Sequence, residues 1–354
     1  MKKNSFLTAL LVCVAMLGAK AQNKNMYKAD TIVDAKGNII VNVYSAQTVV
    51  DGNGNIITRD YDVAAFDEIN LVLPATVNYT VADDYSCRVT LDENLFECYD
   101  IRMKGDRFSL KKDNEFNEIN VKPTKFVIEI SAPVIEEISI VGSGNFCFVT
   151  PFETDRLKIQ TTGSGNAIFK EPVKIHDLEM RITGSGSMVF EKTATIYDFE
   201  MRIAGSGNLE CEDLHAEHAN LSVAGSGDIY IESGMVKNAS FSVAGSGQLE
   251  CKDLYADHAN LSVAGSGDIE IGSGMVKSAD VSVSGTGSVE TRCELESMDY
   301  NISGWGKIYY YGDVKVKGTT MCGQIKRIDS ENEKTNKKCC DEKQKKTKTQ
   351  GTTF

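Results

Sequence analysis

The chain has 354 residues, of which 42% are apolar, with 30 glycines and only 5 prolines. This composition provides for a sizeable core and favours a β-rich fold with many tight turns. The formal net charge of −12 argues against nucleic acid as a partner, because binding to phosphates needs a basic surface.

The N-terminus has the pattern of an export signal. Lys2 and Lys3 precede an apolar run from Phe6 to Leu17, and Ala19-Lys20-Ala21 forms a small-x-small cleavage site. The run is too short to span a bilayer, and no later segment is apolar enough to do so. We therefore predict a signal peptide at residues 1–21 and export to the periplasm, the outer-membrane surface or the extracellular medium.

Two segments separate this signal from the regular part of the chain. Residues 22–60 are polar and contain the turn signal Asp51-Gly52-Asn53-Gly54-Asn55, so we treat them as an N-terminal segment. Apolar residues then alternate with polar ones, as at Ile69 and Leu71, which indicates strands with one buried face. We interpret Phe66 to Lys112 as irregular first coils that cap a solenoid, since an open coil exposes strand edges.

A Gly-x-Gly tripeptide, usually Gly-Ser-Gly, then recurs nine times at intervals of 19 to 21 residues. Apolar residues stand six, four and two positions before its first glycine, as in Leu178, Met180 and Ile182, and the alternation resumes after it. Each period then has a loose turn and a third short strand. These features predict a single parallel β-helix whose coils stack at about 4.8 Å. The corner glycines are Gly142, Gly144, Gly163, Gly165, Gly184, Gly186, Gly205, Gly207, Gly225, Gly227, Gly245, Gly247, Gly265, Gly267, Gly285, Gly287, Gly304 and Gly306.

The central residue of the corner predicts how the corner is oriented. Thr286 and Trp305 replace the serine in the last two corners. An indole could not fit inside a stack that is built around serine, so we expect this position to face solvent in every coil. The glycines on either side supply backbone angles that a Cβ resists.

Three features in combination resemble a known family: FDEINLVLPATVNYTV, VTLDENLFECYDIRMKGDRFSL, and the serial GSGN and GSGD corners. The sequence resembles the auto-transporter adhesin family with a head GIN domain, over residues 61–325. The resemblance implies a right-handed parallel β-helix in the cell envelope of Bacteroidetes, and it implies no catalytic residue set. The regular corners, the many cysteines and the basic tail depart from the family pattern.

The residues that follow the corners are the candidate ligand-binding residues. In a β-helix they form a line of amides and carboxylates about 4.8 Å apart, which could meet the hydroxyls of a glycan or cell-surface polymer. Asn and Asp also favour corners because they bond their own backbone there, so a purely structural role stays open. The candidates are Asn145, Asn166, Asn208, Asp228, Gln248 and Asp268.

The alternative function is a carbohydrate-active enzyme, a polysaccharide lyase or hydrolase built on a β-helix. Asp228 and Asp268 would then lie two coils apart, at roughly 9–10 Å, a permissive separation for paired carboxylates. The coil length barely varies, however, so no long loop is present to build a cleft. We predict a non-catalytic role in adhesion, polymer binding or scaffolding, without a cofactor, and we leave the oligomeric state open.

Histidines and cysteines complete the set of candidate sites. His215 and His218 lie near Cys211, but residues i and i+3 of a strand face opposite ways, so we predict no metal site. We expect Cys211 and Cys251 to be small core residues, whereas Cys87 and Cys98 could pair across strands.

The last segment, residues 326–354, differs in composition from the solenoid. It contains nine basic and five acidic residues and almost nothing apolar. Such a segment cannot bury enough apolar surface to offset the entropy of ordering. We therefore predict a disordered basic tail, with an electrostatic tether to an acidic surface as the functional interpretation and a solvated tail as the alternative.

Overall fold

The computed structural model describes residues 28–33, 39–44, 49–117 and 119–328. The predicted signal peptide at 1–21 and the tail from residue 329 onward lie outside these ranges. The described chain is nearly all strand and forms a parallel β-solenoid of about 10 turns, with coils about 20 residues apart. The predicted fold class is therefore confirmed.

Eleven strands precede the first corner coil, and two short 3-10 helices, at Glu93–Cys98 and Asn114–Phe116, connect some of them. The strands are β1 (Lys28–Val33), β2 (Ile39–Tyr44), β3 (Val49–Asp51), β4 (Ile56–Tyr61), β5 (Glu68–Val72), β6 (Thr76–Val81), β7 (Ser86–Asp92), β8 (Tyr99–Lys104), β9 (Arg107–Lys112), β10 (Asn120–Lys122) and β11 (Phe126–Ala132).

Strands β3 to β11 form an N-terminal cap that mixes antiparallel with parallel pairing, whereas β1 and β2 pair antiparallel in a separate two-stranded sheet. β7 pairs antiparallel with β4 and β11, and β8 pairs antiparallel with β9. β5 pairs parallel with β9, and β6 pairs parallel with β11. The sequence predicts irregular coils here, and the antiparallel pairs differ from that expectation. Without a glycine corner the chain reverses at tight turns, such as the one at Gly105, where φ is +69°.

Asp92 is a buried carboxylate that joins separate segments of the cap. Its Oδ1 accepts hydrogen bonds from the Gly54 N–H at 2.9 Å and the Thr124 hydroxyl at 2.6 Å, and its Oδ2 accepts from the Thr124 N–H at 2.8 Å. Burial raises the pKa of Asp92, but the hydrogen bonds lower it by more, so the pKa lies below its ordinary value. The ionised form therefore stabilises the cap.

The regular coils begin after the cap. Their strands are β12 (Glu137–Gly142), β13 (Asn145–Phe148), β14 (Phe152–Gly163), β15 (Asn166–Phe169), β16 (Val173–Gly184), β17 (Ser187–Gly205), β18 (Asn208–Gly225), β19 (Asp228–Gly245), β20 (Gln248–Gly265), β21 (Asp268–Gly285), β22 (Ser288–Thr291), β23 (Glu294–Gly304), β24 (Lys307–Tyr311), β25 (Lys315–Thr320) and β26 (Gln324–Ile328). β12 and β13 pair parallel with β5 and β6 of the cap.

The middle coils differ from the expected three strands with a loose turn. From β17 to β21 the backbone stays extended from one corner to the next. The pairing of β18 with β19 passes over Glu212 and Glu217 while the residues on both sides stay in register. The chain therefore bends at these two positions without leaving the sheet, and the bends divide each coil into faces.

Inward side chains of successive coils stack into ladders, as the alternation predicts. The ring of Phe169 lies between those of Phe148 and Phe190, with centroid distances of 4.2 and 4.6 Å and nearly parallel planes. Cys211 follows Phe190 in register, and both Cys211 and Cys251 are buried free thiols. The prediction of core cysteines is confirmed.

The suggested pairing of Cys87 with Cys98 is not observed. Both residues are buried and both are free thiols. Cys87 lies on β7, whereas Cys98 ends the 3-10 helix that follows this strand. Burial raises the pKa of the Cys87 thiol to about 12 and that of the Cys98 thiol to about 11. Both side chains therefore act as small apolar core residues.

The glycine corners are aligned from coil to coil. The Ser246 N–H donates to the Gly225 carbonyl at 2.8 Å, and Gly245 has φ of +137°. The central position faces solvent: Trp305 is 72% exposed, and the hydroxyls of Ser266 and Thr286 lie 3.0 Å apart on adjacent corners. The orientation inferred from the indole is confirmed.

Candidate functional site

The six predicted ligand-binding residues lie in one line along the solenoid. Asn145 is in register with Asn166, and Asn208, Asp228, Gln248 and Asp268 follow one another on four consecutive coils. All are exposed or half-exposed. The linear arrangement expected from the repeat is present, and a role in ligand binding stays a prediction.

Most of these side chains bond the coil that follows. Asn166 Nδ2 donates to Asn145 Oδ1 at 2.8 Å, and Asn166 Oδ1 accepts from the Ser187 N–H at 2.8 Å. Asp228 Oδ1 accepts from the Gln248 N–H at 3.0 Å. The line therefore connects neighbouring coils at the point where the chain leaves each corner. The sequence suggested a bond to the residue's own backbone, but the partner lies about one coil further on.

The histidines bond residues on their own or a neighbouring coil. His218 Nδ1 lies 3.1 Å from Asn238 Nδ2, and His258 Nδ1 lies 2.9 Å from the Ser278 hydroxyl. His215 Nε2 lies 3.3 Å from an oxygen of Asp213. Within the described ranges, no group of three or more His, Cys, Asp or Glu residues could hold a metal ion.

A different face of the solenoid carries a long groove. The groove has a volume of about 970 Å³ and extends from Glu136 and Glu153 to Met235. A second depression of about 420 Å³ shares Met235 and continues along the same face to Met275 and Lys277. The two depressions together run along the solenoid axis across the seven coils from Glu153 to Met275.

Exposed aromatic, methionine and histidine side chains line this groove, one per coil. Four of them, two tyrosines and two methionines, are between 45% and 58% exposed. Six successive coils at about 4.8 Å give a length of about 24 Å. We name this set the apolar track; it consists of His176, Tyr197, His215, Met235, Tyr255 and Met275.

The strand register fixes the geometry of the apolar track. His215, Met235, Tyr255 and Met275 pair directly on four consecutive coils. At the other end the rings of His176 and Tyr197 stack with centroids 4.7 Å apart and planes within 17°. This pair lies in an adjoining row, two residues further along the strand, because His215 pairs with Thr195. Contiguous exposed apolar side chains are uncommon on a monomer surface and mark interaction sites.

Charged side chains beside the apolar track neutralise one another. Lys237 Nζ lies 2.5 Å from Glu217 Oε1, and Lys277 Nζ lies 2.6 Å from Asp257 Oδ1. The hydrogen bond to Asp257 raises the pKa of Lys277, and that to Lys277 lowers the pKa of Asp257. The track thus presents apolar surface beside balanced charges, and this arrangement fits a ligand without strong net charge.

Sequence reasoning missed the apolar track, although a signal was present. Met235 and Met275 are equivalent residues of the duplicated segments Gly205–Val243 and Gly245–Val283. Both occupy an outward phase of the alternation, where a polar residue is expected. A search for apolar residues on the outward phase at a period of twenty would have found them.

Comparison with known proteins identifies the family of this solenoid. The family described as "Putative auto-transporter adhesin, head GIN domain" matches residues 65–234 and 230–294. The chain belongs to this family. Among curated proteins, none matches this head GIN protein.

Solved structures resemble this head GIN protein over most of its length. One from Parabacteroides distasonis, titled "Putative lipid binding protein", has 27% identity and a TM-score of 0.54, covering 80% of this chain and 100% of its own. Another from Parabacteroides merdae, titled "putative adhesin", has 21% identity and a TM-score of 0.49, with the same coverage. In the described part of this chain, no helix is both long and apolar enough to cross a membrane.

Proposed function

We propose that this head GIN protein is an exported, non-catalytic adhesin that binds an extended, uncharged glycan along the apolar track. The observation that carries the proposal is a run of six exposed aromatic, methionine and histidine side chains, one on each of six consecutive coils, in two adjoining rows. His176 and Tyr197 form one row, and His215, Met235, Tyr255 and Met275 form the other. Membership of an adhesin family supports a binding role. A linear track of about 24 Å suits a polymer that lies parallel to the solenoid axis.

The chemistry of the apolar track favours a saccharide. Sugar rings have C–H faces that pack on aromatic rings such as Tyr197 and Tyr255, and hydroxyls that exchange hydrogen bonds with polar neighbours. The paired Lys237 and Glu217 offer both donors and acceptors at the edge of the groove. This ion pair stays intact when a neutral polymer binds, so binding leaves no buried charge unpaired.

A lipid acyl chain is the second candidate. Methionine side chains are flexible and polarisable, and they adapt to apolar ligands of irregular shape. Met235 and Met275 flank Tyr255 in the track. A similar solved structure is titled "Putative lipid binding protein". If an acyl chain is the ligand, vesicles or detergent micelles are expected to bind the groove, and saccharides are not.

A glycan array with the mature chain tests the proposal. Truncating an aromatic anchor at a binding surface costs about 2 kcal/mol, or roughly thirtyfold in affinity. We therefore expect Tyr197→Ala/Tyr255→Ala to weaken binding of the selected glycan at least tenfold. Trp305→Ala removes an exposed aromatic ring outside the track and serves as the control. Equal binding by the double variant and the wild type would contradict the proposal.

The enzyme alternative has its own test. Asp228 and Asp268 each accept an N–H from the next coil, from Gln248 and Ser288 respectively, at 3.0 Å. This use of their oxygens supports a structural role. Turnover of any polysaccharide that is abolished by Asp228→Ala or Asp268→Ala would establish catalysis and overturn the non-catalytic assignment.

Export is a separate part of the proposal and rests on the N-terminal sequence pattern. Cell fractionation with N-terminal sequencing tests it. We expect a mature chain that begins at Gln22 and is recovered outside the cytoplasm. A cytoplasmic chain that still carries residues 1–21 contradicts this part and leaves the binding proposal to its own experiment.

A further inference from the structure

The N-terminal cap carries a concentration of positive charge that is unusual for this acidic chain. Residues 99–112, which form the hairpin of β8 and β9, contain five basic and two acidic residues, a net charge of +3, whereas the whole chain has −12. A depression of about 520 Å³ lies on this hairpin. The polar residues that line it are Asn70, Arg102, Lys104, Arg107, Ser109 and Lys111.

The register of three strands explains why these side chains converge. Ser109 on β9 pairs with Arg102 on β8 and with Asn70 on β5, so these three residues form one row across the sheet. Arg107 and Lys111 lie two residues to either side of Ser109 on the same strand. Phe108 and Leu110 between them are fully buried. The alternation therefore directs Arg107, Ser109 and Lys111 to the same outer surface.

Two carboxylates hold the arginines in place without neutralising the depression. An Arg102 nitrogen lies 2.5 Å from Asp100, and Arg107 donates to one oxygen of Glu68 at 2.6 Å. Lys111 shares Asp100 at 3.5 Å, and Lys104 forms no ion pair with any described residue. Four cations thus face two carboxylates. Because a guanidinium has five N–H donors, each arginine keeps several for a ligand.

We propose that this depression binds a phosphoryl group. The excess of two positive charges matches the charge of a phosphomonoester near neutral pH. Guanidinium groups match the oxygens of phosphate in a fork geometry, and charge-assisted bonds to phosphate are the strong ones. Ser109 and Asn70 add neutral donors at the centre of the row. The group can belong to a soluble phosphate ester or to a lipid headgroup, and the site lies on the cap, apart from the apolar track.

The test measures two probes on the full mature chain. Inorganic phosphate is titrated by calorimetry, and vesicles of phosphatidylcholine with or without phosphatidic acid are used in cosedimentation. We expect binding of inorganic phosphate or of phosphatidic acid vesicles, and none of phosphatidylcholine alone, whose phosphodiester carries a single negative charge beside a choline cation. Binding of inorganic phosphate assigns a soluble source, and binding only of phosphatidic acid vesicles assigns a headgroup. Binding of neither probe overturns the proposal.

Matched variants localise the binding. Arg102→Gln/Arg107→Gln is expected to weaken binding at least tenfold, since each arginine provides charge-assisted bonds. Arg202→Gln is the control, because Arg202 is 57% exposed and lies 2.5 Å from Glu200, much as Arg102 is 63% exposed and pairs with Asp100. Unchanged binding by the double variant, or an equal loss in Arg202→Gln, overturns the proposal.

A second variant covers the case in which the double variant fails to fold. Lys104→Gln removes a cation that forms no ion pair with a described residue, so it leaves no carboxylate unpaired. We expect it to keep the melting temperature of the wild type and to weaken phosphoryl binding by roughly threefold to tenfold. Wild-type affinity in this folded variant contradicts the site.

Discussion

Alanine in place of Gly245 is expected to disrupt the stacking of two coils. Gly245 is the first residue of a corner and has φ of +137°. A Cβ at this position would lie 2.2 Å from the carbonyl oxygen of Gly225, and 3.0 Å from its N and carbonyl carbon. The obstacle is backbone of the preceding coil, so it cannot be relieved by rotation of a side chain.

Two independent costs add at this position. An L-residue in a sparsely populated region of φ and ψ costs about 1–3 kcal/mol. Insertion of a methyl group into a packed site costs about 1–3 kcal/mol more. We therefore expect Gly245→Ala to lower the free energy of unfolding by about 2–6 kcal/mol. Ser246→Ala changes an exposed residue of the same corner, and its effect is expected to stay within about 0.5 kcal/mol.

Urea unfolding followed by circular dichroism compares the two variants. Repeat arrays can lose two-state cooperativity, so native-state hydrogen exchange is measured as well. In Gly245→Ala, the amide of Ser246, which donates to Gly225 at 2.8 Å in the wild type, is expected to exchange faster. Equal midpoints and equal exchange in the two variants would refute the steric account of the corner.

Three further predictions test the core, the cap and the thiols. Phe169→Ala removes a fully buried ring that stacks between two others at centroid distances of 4.2 and 4.6 Å. Calorimetry should show that the free energy of unfolding falls by about 3–5 kcal/mol. A fall of less than about 1 kcal/mol contradicts the ladder of stacked rings. Asp92→Asn weakens the hydrogen bonds to Thr124 and should lower the free energy of unfolding by about 1–3 kcal/mol at neutral pH. Because the folded-state pKa of Asp92 is lowered, this contribution is present above the unfolded-state pKa of about 3.9 and disappears as the pH falls further. Urea unfolding that gives the same difference in free energy between Asp92→Asn and the wild type at pH 7 and at pH 3 would contradict this account. Native-state alkylation with peptide mapping should label the exposed Cys322 and spare the buried Cys211, whose thiol pKa burial raises to about 12; rapid labelling of Cys211 would argue against its burial.

The sequence predicted the fold because each coil repeats the same pattern of apolar residues and glycines. Apolar residues at a period of two define the buried face, and the glycine corner sets the phase of every coil. Trp305 alone was enough to orient the corner, since an indole has no room inside the stack. The cap was harder to predict because its chain reverses without the corner, and no sequence pattern distinguishes its hairpins from irregular coils.

The candidate sites depend on relations between coils, which a single period does not contain. The partner of Asn166 is the backbone of Ser187, 21 residues further on, and this bond depends on the register of two coils. The apolar track also depends on the register between coils, because His215 pairs with Thr195 and its row therefore lies two residues from that of Tyr197. The alternation of residues predicts that Tyr255 points outward, but it does not show whether neighbouring side chains cover it. The sequence alone therefore could not identify Tyr255 as exposed.

Methionine oxidation tests the central claim most directly, because the apolar track contains its own probes. Met235 and Met275 are exposed on the track, whereas Met321 is 82% exposed and lies outside it. Mild peroxide treatment with mass spectrometry follows the three rates with and without the glycan selected by the array. We predict that the ligand slows oxidation of Met235 and Met275 and leaves Met321 unchanged. Unchanged rates at Met235 and Met275 in the presence of saturating ligand would contradict binding along the track.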